Sequence, residues 1–344
     1  MGPIKTQLTS RFNLNSPIIS APMAGIATPE LAAAVTKAGG LGAIGAGNYS
    51  SQELKKQIQT VRKILGISED KPVPLIVGFL GWCLDKSEAS DDPCLVAVLD
   101  QNPVAVWFAF GVDMGRYIDQ VHDYNAGTGR NIFIFIIVSS LEDARIAAAK
   151  KVDALVVQGH EAGGHGGADA LPLLVLLAAV MREFEAANEK PLIMAAGAIS
   201  TGAQIAGLLS MGADGVVLGT RFLFTPECSY GAAQKQALLD ADHNSTARTA
   251  AFDEVLKLNN WPPNCNGRAI SNKIIDDVKA GLGLEERIQK FEESKRSDSD
   301  TSRLVVWAGS GVGMTNEIKG AADVLHELHE ETVKQLQIAT KLLS

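Results

Sequence analysis

Short runs of β-branched and apolar residues recur along the chain at positions 18–21, 41–45, 74–79, 104–108, 132–138, 154–158, 192–196 and 215–218, with helical segments between them. Runs that are apolar at nearly every position predict strands buried on both faces, as in a parallel sheet clothed by helices. The intervening segments carry helix-start chemistry. Thr28-Pro29 offers an N-cap followed by proline at the first helical position, with Gly39 closing that helix. Ser50 with Glu53, Ser139 with Glu142 and Thr201 with Gln204 each fit a capping box, which satisfies backbone N–H groups that a helix start leaves unpaired. Eight strands alternating with helices predict an α/β fold of the (β/α)8 TIM-barrel type. An open doubly wound sheet needs a glycine fingerprint after its first strand, and here the chain reads Ala21-Pro22-Met23-Ala24-Gly25.

The rhythm stops after the eighth run. Residues 221–304 hold helical pieces, the turn-rich Asn259-Asn260-Trp261-Pro262-Pro263-Asn264 and a charge run over 285–303 that reads as a solvated helix face. We expect a smaller helical domain here, inserted after the eighth strand and able to cover the barrel mouth, with residues 1–220 and 305–344 forming the barrel. In the final segment, Leu325, Leu328, Leu336, Ala339 and Leu343 recur at near-helical spacing and should pack on the barrel exterior.

Composition narrows the functions. With 31 Lys and Arg against 39 Asp and Glu, the chain carries a formal charge of −8, so it has no global attraction for nucleic acid or anionic lipid. Residues 191–213 carry no charge over about the length that crosses a bilayer, but glycines at 197, 202, 207 and 212 divide them into strand, turn and short helix. Cys83, Cys94, Cys228 and Cys265 show no paired spacing, and no signal segment precedes Arg11, so we expect a reduced, cytoplasmic protein.

In a barrel of this kind ligands sit where strands end. The stretches after the seventh and eighth runs, Ala196-Gly197-Ala198 and Gly219-Thr220, lack bulk, and the corresponding loops of such barrels often bind phosphate through main-chain N–H groups. The plainer alternative is a pair of tight turns. After the sixth run, Gln158 to Gly167 holds five glycines in ten residues around His160, Glu161 and His165. That much glycine costs backbone entropy, which a polar group held at a ligand's reacting face would justify. Either histidine is a candidate general base, or merely a hydrogen-bonded structural residue. The His-x4-His spacing is not that of a zinc site, so no metal is expected. No cysteine lies within residues 158–171, which disfavours thiol catalysis. Gly45-Ala46-Gly47 and Gly309-Ser310-Gly311-Val312-Gly313 lack the context of a dinucleotide fingerprint and read as turns at the barrel mouth.

Together these motifs resemble the nitronate monooxygenase family, formerly called 2-nitropropane dioxygenases, which are FMN-dependent barrels. The matching pieces span nearly the whole chain: Ala21 through Gly25, Val157-Gln158-Gly159, Glu161-Ala162-Gly163-Gly164-His165, Ala195-Ala196-Gly197, Leu218 through Phe222, Gly267-Arg268-Ala269 with Asn272, and Trp307-Ala308-Gly309 through Gly313. The resemblance implies that His165, not His160, is the catalytic histidine, abstracting the α-proton of a neutral nitroalkane. It also implies that Pro22, Met23 and Ala24 face the flavin ring and that Gln158 hydrogen-bonds it. Gly164, Gly197, Gly219 and Thr220 would cradle the phosphate, with Gly163 and Ala198 also against the cofactor. The implied reaction oxidises alkyl nitronates with O2 to a carbonyl compound and nitrite. Related chemistries to weigh are an NAD(P)H-dependent flavin reductase acting on quinones or enoyl thioesters, and a flavoprotein recruited to a biosynthetic pathway. Three places depart from the family pattern: Ala198 where a second glycine is common, the strand end Gly78-Phe79-Leu80 where many bacterial relatives place asparagine, and Ser310 in place of glutamine or glutamate.

Overall fold

The computed structural model describes residues 2–258, 260–297 and 300–343; Asn259 of the turn-rich stretch and residues 298–299 of the charge run lie outside them, as does the Leu343 side chain. The strands, in chain order, are β1 (Ile18–Ser20), β2 (Ala43–Gly45), β3 (Val73–Leu80), β4 (Pro103–Ala109), β5 (Phe133–Val138), β6 (Ala154–Gln158), β7 (Gly164–Gly167), β8 (Leu192–Ala196), β9 (Gly215–Leu218), β10 (Thr246–Thr249) and β11 (Cys265–Ile270). Each of the eight runs read from the sequence is a barrel strand. They form one parallel sheet in the order β1-β9-β8-β6-β5-β4-β3-β2. The remaining seam closes through a parallel bridge of Ile19 to Leu41, where Leu41 N donates to Ile18 O at 3.0 Å and Ser20 N to Leu41 O at 3.1 Å. The sheet is therefore a barrel.

Alternation along each strand divides the apolar side chains into two cores. In β4, Ala105, Trp107 and Ala109 point to the barrel axis, while Val106 and Phe108 meet the outer helices. In β6, Ala154 and Val156 face in, and Leu155 and Val157 face out. The barrel floor is plugged by the helix Gln7–Phe12, whose Leu8 is fully buried and whose Phe12 meets the edge of Phe133 at 5.1 Å. The strand C-termini are thereby left as the open end.

Helix starts follow the capping chemistry with one shift. Thr28, Ser50 and Thr201 cap their helices as read. After β5, however, the cap is Ser140, whose Oγ accepts from Asp143 N at 3.0 Å, and Asp143 in turn accepts from Ser139 N at 3.1 Å. The acid partner is thus Asp143 rather than Glu142, because the helix begins one residue later. Residues 191–213 form β8, a turn and the helix Gly202–Ser210, and among the described residues no helix is long and apolar enough to cross a membrane. All four cysteines are free.

The C-terminal helix Ala321–Thr340 packs on the helices Pro29–Lys37 and Gly202–Ser210, burying Leu325 and Leu328. Leu336 is only half-buried and Ala339 is exposed, contrary to the expected stripe. The reason is length: this helix has 20 residues and its two neighbours nine each, so its last turns outrun them.

The stretch after β9 does contain the expected helices, Ala232–Leu239, Ala251–Val255, Lys273–Lys279 and Leu284–Lys295, but it also contains β10 and β11. These pair antiparallel with each other, and β11 pairs antiparallel with β7, which belongs to the glycine-rich loop after β6. A small core of its own, centred on Phe252, Val255, Ile274 and Phe291, lies beneath them.

Two features generate tests. His329 is buried; its Nε2 lies 3.1 Å from Gly2 O and its Nδ1 2.5 Å from Ser16 Oγ. A carbonyl only accepts, so Nε2 carries a proton, and burial lowers the pKa of the ring below the usual histidine value, which favours its neutral form. Because the unfolded chain binds this proton more readily, the stability His329 contributes is present above about pH 6.5 and drains away as pH falls through that range toward the lowered folded value. His329→Gln should unfold at a lower temperature at pH 7.5 yet lose less than the parent on going to pH 5.5, measured by thermal melts across pH. At the end of β8, Gly197 takes φ +125° and Ala198 φ +50°, and Gln204 Nε2 holds the turn by donating to Ala198 O at 2.9 Å. A left-handed alanine costs roughly 1–2 kcal/mol, partly offset by its lower entropy when unfolded. Ala198→Gly should therefore melt at the same temperature as the parent or a few degrees higher; a clear drop would show that the methyl group packs favourably.

Candidate active site

At the open end of the barrel lies a cavity of about 530 Å³. Every residue that the resemblance assigns to the site lines it: Pro22, Met23, Ala24, Gln158, Gly163, Gly164, His165, Gly197, Ala198, Gly219 and Thr220. His160 and Glu161 do not. The walls also include Phe79, Leu80, Trp82, Trp107, Phe110, Trp261 and Trp307, and among the described residues no Asp, Glu, Lys or Arg contributes to them.

The loop after β1 crosses the end of β2, where Ala24 bridges Gly45. The loop after β6 is tied down residue by residue. Gly159 N donates to Ala196 O, His160 N to Leu171 O and Ala162 N to Gly159 O. Glu161, left without a role by the sequence, accepts Leu173 N with both carboxylate oxygens at 3.0 and 3.1 Å, so it caps the next helix. Two guanidinium groups brace the same loop from the β10–β11 side. Arg248 donates to Ala162 O and Asn266 O, each at 2.7 Å, and Arg268 to His160 O at 3.3 Å. Burial, and then the neighbouring Arg268, push the Arg248 pKa down to about 10, so it stays charged at neutral pH. His160 is held toward its neutral form by burial first and then by Arg248 and Arg268.

His165 sits on β7 opposite Gly267 of β11. A side chain at Gly267 would run into the Trp307 ring, its Cβ only 2.2 Å from the indole, so glycine there lets the indole lie against the strand. The His165 imidazole stacks on Trp261 with centroids 3.5 Å apart and planes 11° apart, and Trp307 flanks it at 4.8 Å. Its Nε2 lies 2.8 Å from Asp253 Oδ1, with both side chains about nine-tenths buried. Sequence reasoning missed Asp253 and Trp82, and read Trp261 only as part of a turn. The available signal for Asp253 was an acid within Ala251-Phe252-Asp253-Glu254-Val255, beside a phenylalanine that is fully buried.

Opposite this wall the cavity offers donors. Among the described residues no backbone acceptor takes the N–H of Gly163, Ala198 or Gly219. Gln158 donates through Nε2 to His165 O at 3.2 Å, while its buried Oε1 has no partner. A Cβ built at Gly164 meets nothing within 4 Å, so the backbone there borders open space. Thr220 Oγ1 accepts Gly309 N at 2.9 Å and so joins the barrel to the 309–313 loop. Ser310, a departure from the family pattern, faces away from the cavity and donates through its N–H to Glu161 O at 3.0 Å. Gly78, Phe79 and Leu80, the strand end that also departs, lie in the wall.

The geometry thus brings together unspent anion-type donors, a half-satisfied amide and one imidazole in an uncharged apolar chamber, an arrangement suited to a phosphorylated planar ligand and a proton acceptor above it. Comparison with known proteins places the chain in a family. The nitronate monooxygenase family model matches residues 5–78 and 86–331. A nitronate monooxygenase from Neurospora crassa is 33% identical over 96% of this chain and 93% of its own, and one from Paraburkholderia phytofirmans 34% identical over 72% and 74%. Among solved structures, a nitroalkane oxidase from Streptomyces ansochromogenes superposes with TM-score 0.75 at 27% identity, covering 96% of this chain and 99% of that one. FabK from Thermotoga maritima shares the fold with TM-score 0.78 at 24% identity, over 98% and 99%. By the extent of these matches, the chain belongs to the nitronate monooxygenase family, a family of flavin-dependent oxidoreductases.

Proposed function

We propose that this protein binds FMN at the barrel mouth and uses it to oxidise alkyl nitronates with O2, giving a carbonyl compound and nitrite, and that it accepts neutral nitroalkanes by first removing their α-proton. The observation that carries the reading is the convergence of His165 and the unspent main-chain donors on one uncharged cavity.

The residues fit the cofactor. The N–H groups of Gly163, Ala198 and Gly219 would hold its phosphate by dipole and hydrogen bond in place of a lysine or arginine, with Gly197 giving the room for close approach. Gln158 Oε1, buried and unpartnered, would accept an N–H of the ring system, and Pro22, Met23 and Ala24 would lie against its face. When bound, the flavin supplies the electron acceptor for the nitronate.

The chain's own contribution is positioning, dryness and one proton transfer. His165 takes the α-proton of the nitroalkane; the C–H electron pair becomes the C=N bond and the charge passes to the nitro oxygens. Stacking on Trp261 fixes the plane of the ring, so the base is held rather than searching for its target. Trp82, Phe110 and Trp107 surround the remaining space with apolar surface. A wall without fixed charge suits an uncharged alkyl chain.

The cofactor test is direct: the purified protein should be yellow, and the chromophore released by heat should be FMN; a colourless protein that takes up no added FMN refutes the reading. In anaerobic mixing, a preformed nitronate should bleach the flavin absorbance, whereas bleaching by NADH or NADPH alone would identify a pyridine-nucleotide-dependent reductase instead. His165→Asn should lower kcat/KM for a neutral nitroalkane by about 100-fold or more and leave preformed nitronate turnover largely intact, because only the former needs a base. Equal loss on both substrates would remove His165 from the proton transfer.

A further inference from the structure

We propose that Asp253 is a positioning residue that dictates which nitrogen of His165 is free: by accepting the Nε2 proton it keeps the lone pair on Nδ1, and Nδ1 is the atom that takes the substrate proton. The inference rests on His165 acting as the base, as argued above.

Asp253 belongs to the helix Ala251–Val255, between β10 and β11. Its carboxylate lies 2.8 Å from Nε2, and among the described residues no other side chain or backbone group pairs with it. An ionised carboxylate only accepts, so the hydrogen of this contact must sit on Nε2. A neutral imidazole has one N–H, which leaves Nδ1 as the lone-pair atom. Among the described residues Nδ1 has no hydrogen-bond partner, yet it is not among the atoms sealed from solvent without one, and the His165 side chain lines the cavity. Nε2 is therefore committed to the inserted segment and Nδ1 to the chamber.

The same contact helps after the transfer. The imidazolium formed when Nδ1 gains the proton is a buried cation, and Asp253 is a buried anion already hydrogen-bonded to it. The Trp261 face, stacked 3.5 Å away, also favours the positive ring. The acid does not touch the substrate; it acts through the histidine. Both anchors of His165 come from the stretch between β9 and the 309–313 loop: the ladder partner Gly267 and the orienting acid Asp253.

The test compares Asp253→Asn and Asp253→Glu with the parent holoenzyme on a neutral nitroalkane and its preformed nitronate. An asparagine can donate to Nε2 and so favours the opposite tautomer, with the proton on Nδ1. Asp253→Asn is expected to lose about 100-fold or more in kcat/KM on the nitroalkane, to stay within about threefold of the parent on the nitronate, and to keep the parent's flavin spectrum. Asp253→Glu, which retains the carboxylate, should recover part of the nitroalkane activity. A tautomer readout stands beside the kinetics: in ¹⁵N-histidine-labelled protein, with His165→Asn used for assignment, long-range ¹H–¹⁵N correlations should show Nε2 protonated and Nδ1 bare in the parent, and the reverse in Asp253→Asn. A parent with Nδ1 protonated overturns the proposal, as does Asp253→Asn losing both substrates equally or neither. Should that variant fail to fold, the parent's tautomer and the glutamate variant decide. A parent inactive on both substrates would fell the nitronate reading alone, because the tautomer is read without turnover.

Discussion

Five glycines in ten residues leave the loop after β6 with no stiffness of its own, and its antiparallel ladder to β11 supplies what is missing. Ordering such a segment costs more backbone entropy than ordering one of that length without glycine. The cost is met by non-local bonds: the β7–β11 register from Gly164 to Gly167, the carbonyls taken by Arg248 and Arg268, and the Ser310 N–H to Glu161 O. That ladder fixes the place of His165, and Trp261 then fixes its plane. Glycine is useful in return, since at Gly163 it lets Ala308 and Gly309 approach the loop closely.

The barrel was legible because its strands announce themselves locally. Runs such as Phe133 to Val138 are apolar throughout, and a doubly buried parallel strand is the simplest structure that uses them. Helix starts at Thr28, Ser50 and Thr201 were legible for a related reason: the cap and its target lie three residues apart. The second sheet was not. Its strands include Gly164-His165-Gly166-Gly167 and Cys265-Asn266-Gly267, which have little strand propensity, and the partners are about a hundred residues apart in sequence. Asp253 escaped for the same reason, since a carboxylate within an apolar helix gives no hint of a histidine 88 positions away. Glycine positions, by contrast, marked the cavity well, because close main-chain approach needs them wherever it occurs.

The chamber itself is uncharged while its supports are not. Arg248, Arg268 and Asp253 all stand behind the wall, spent on carbonyls or on an imidazole, and none faces the space they shape. Charge here sets geometry and local potential without offering a bare ion to the ligand. Such a division keeps desolvation costs within the folded scaffold, where they are met once, rather than at each binding event.

The inserted segment is thus more than a roof over the barrel. Its strand β11, its acid-bearing helix and the glycine that seats an indole form one machined part, and the helices Lys273–Lys279 and Leu284–Lys295 back it through the core they share with Phe252 and Val255. Chimeras built from related barrels would have to exchange residues 246–270 together with the loop they clasp, as matched tongue and groove, because either half alone meets a partner cut to another pattern.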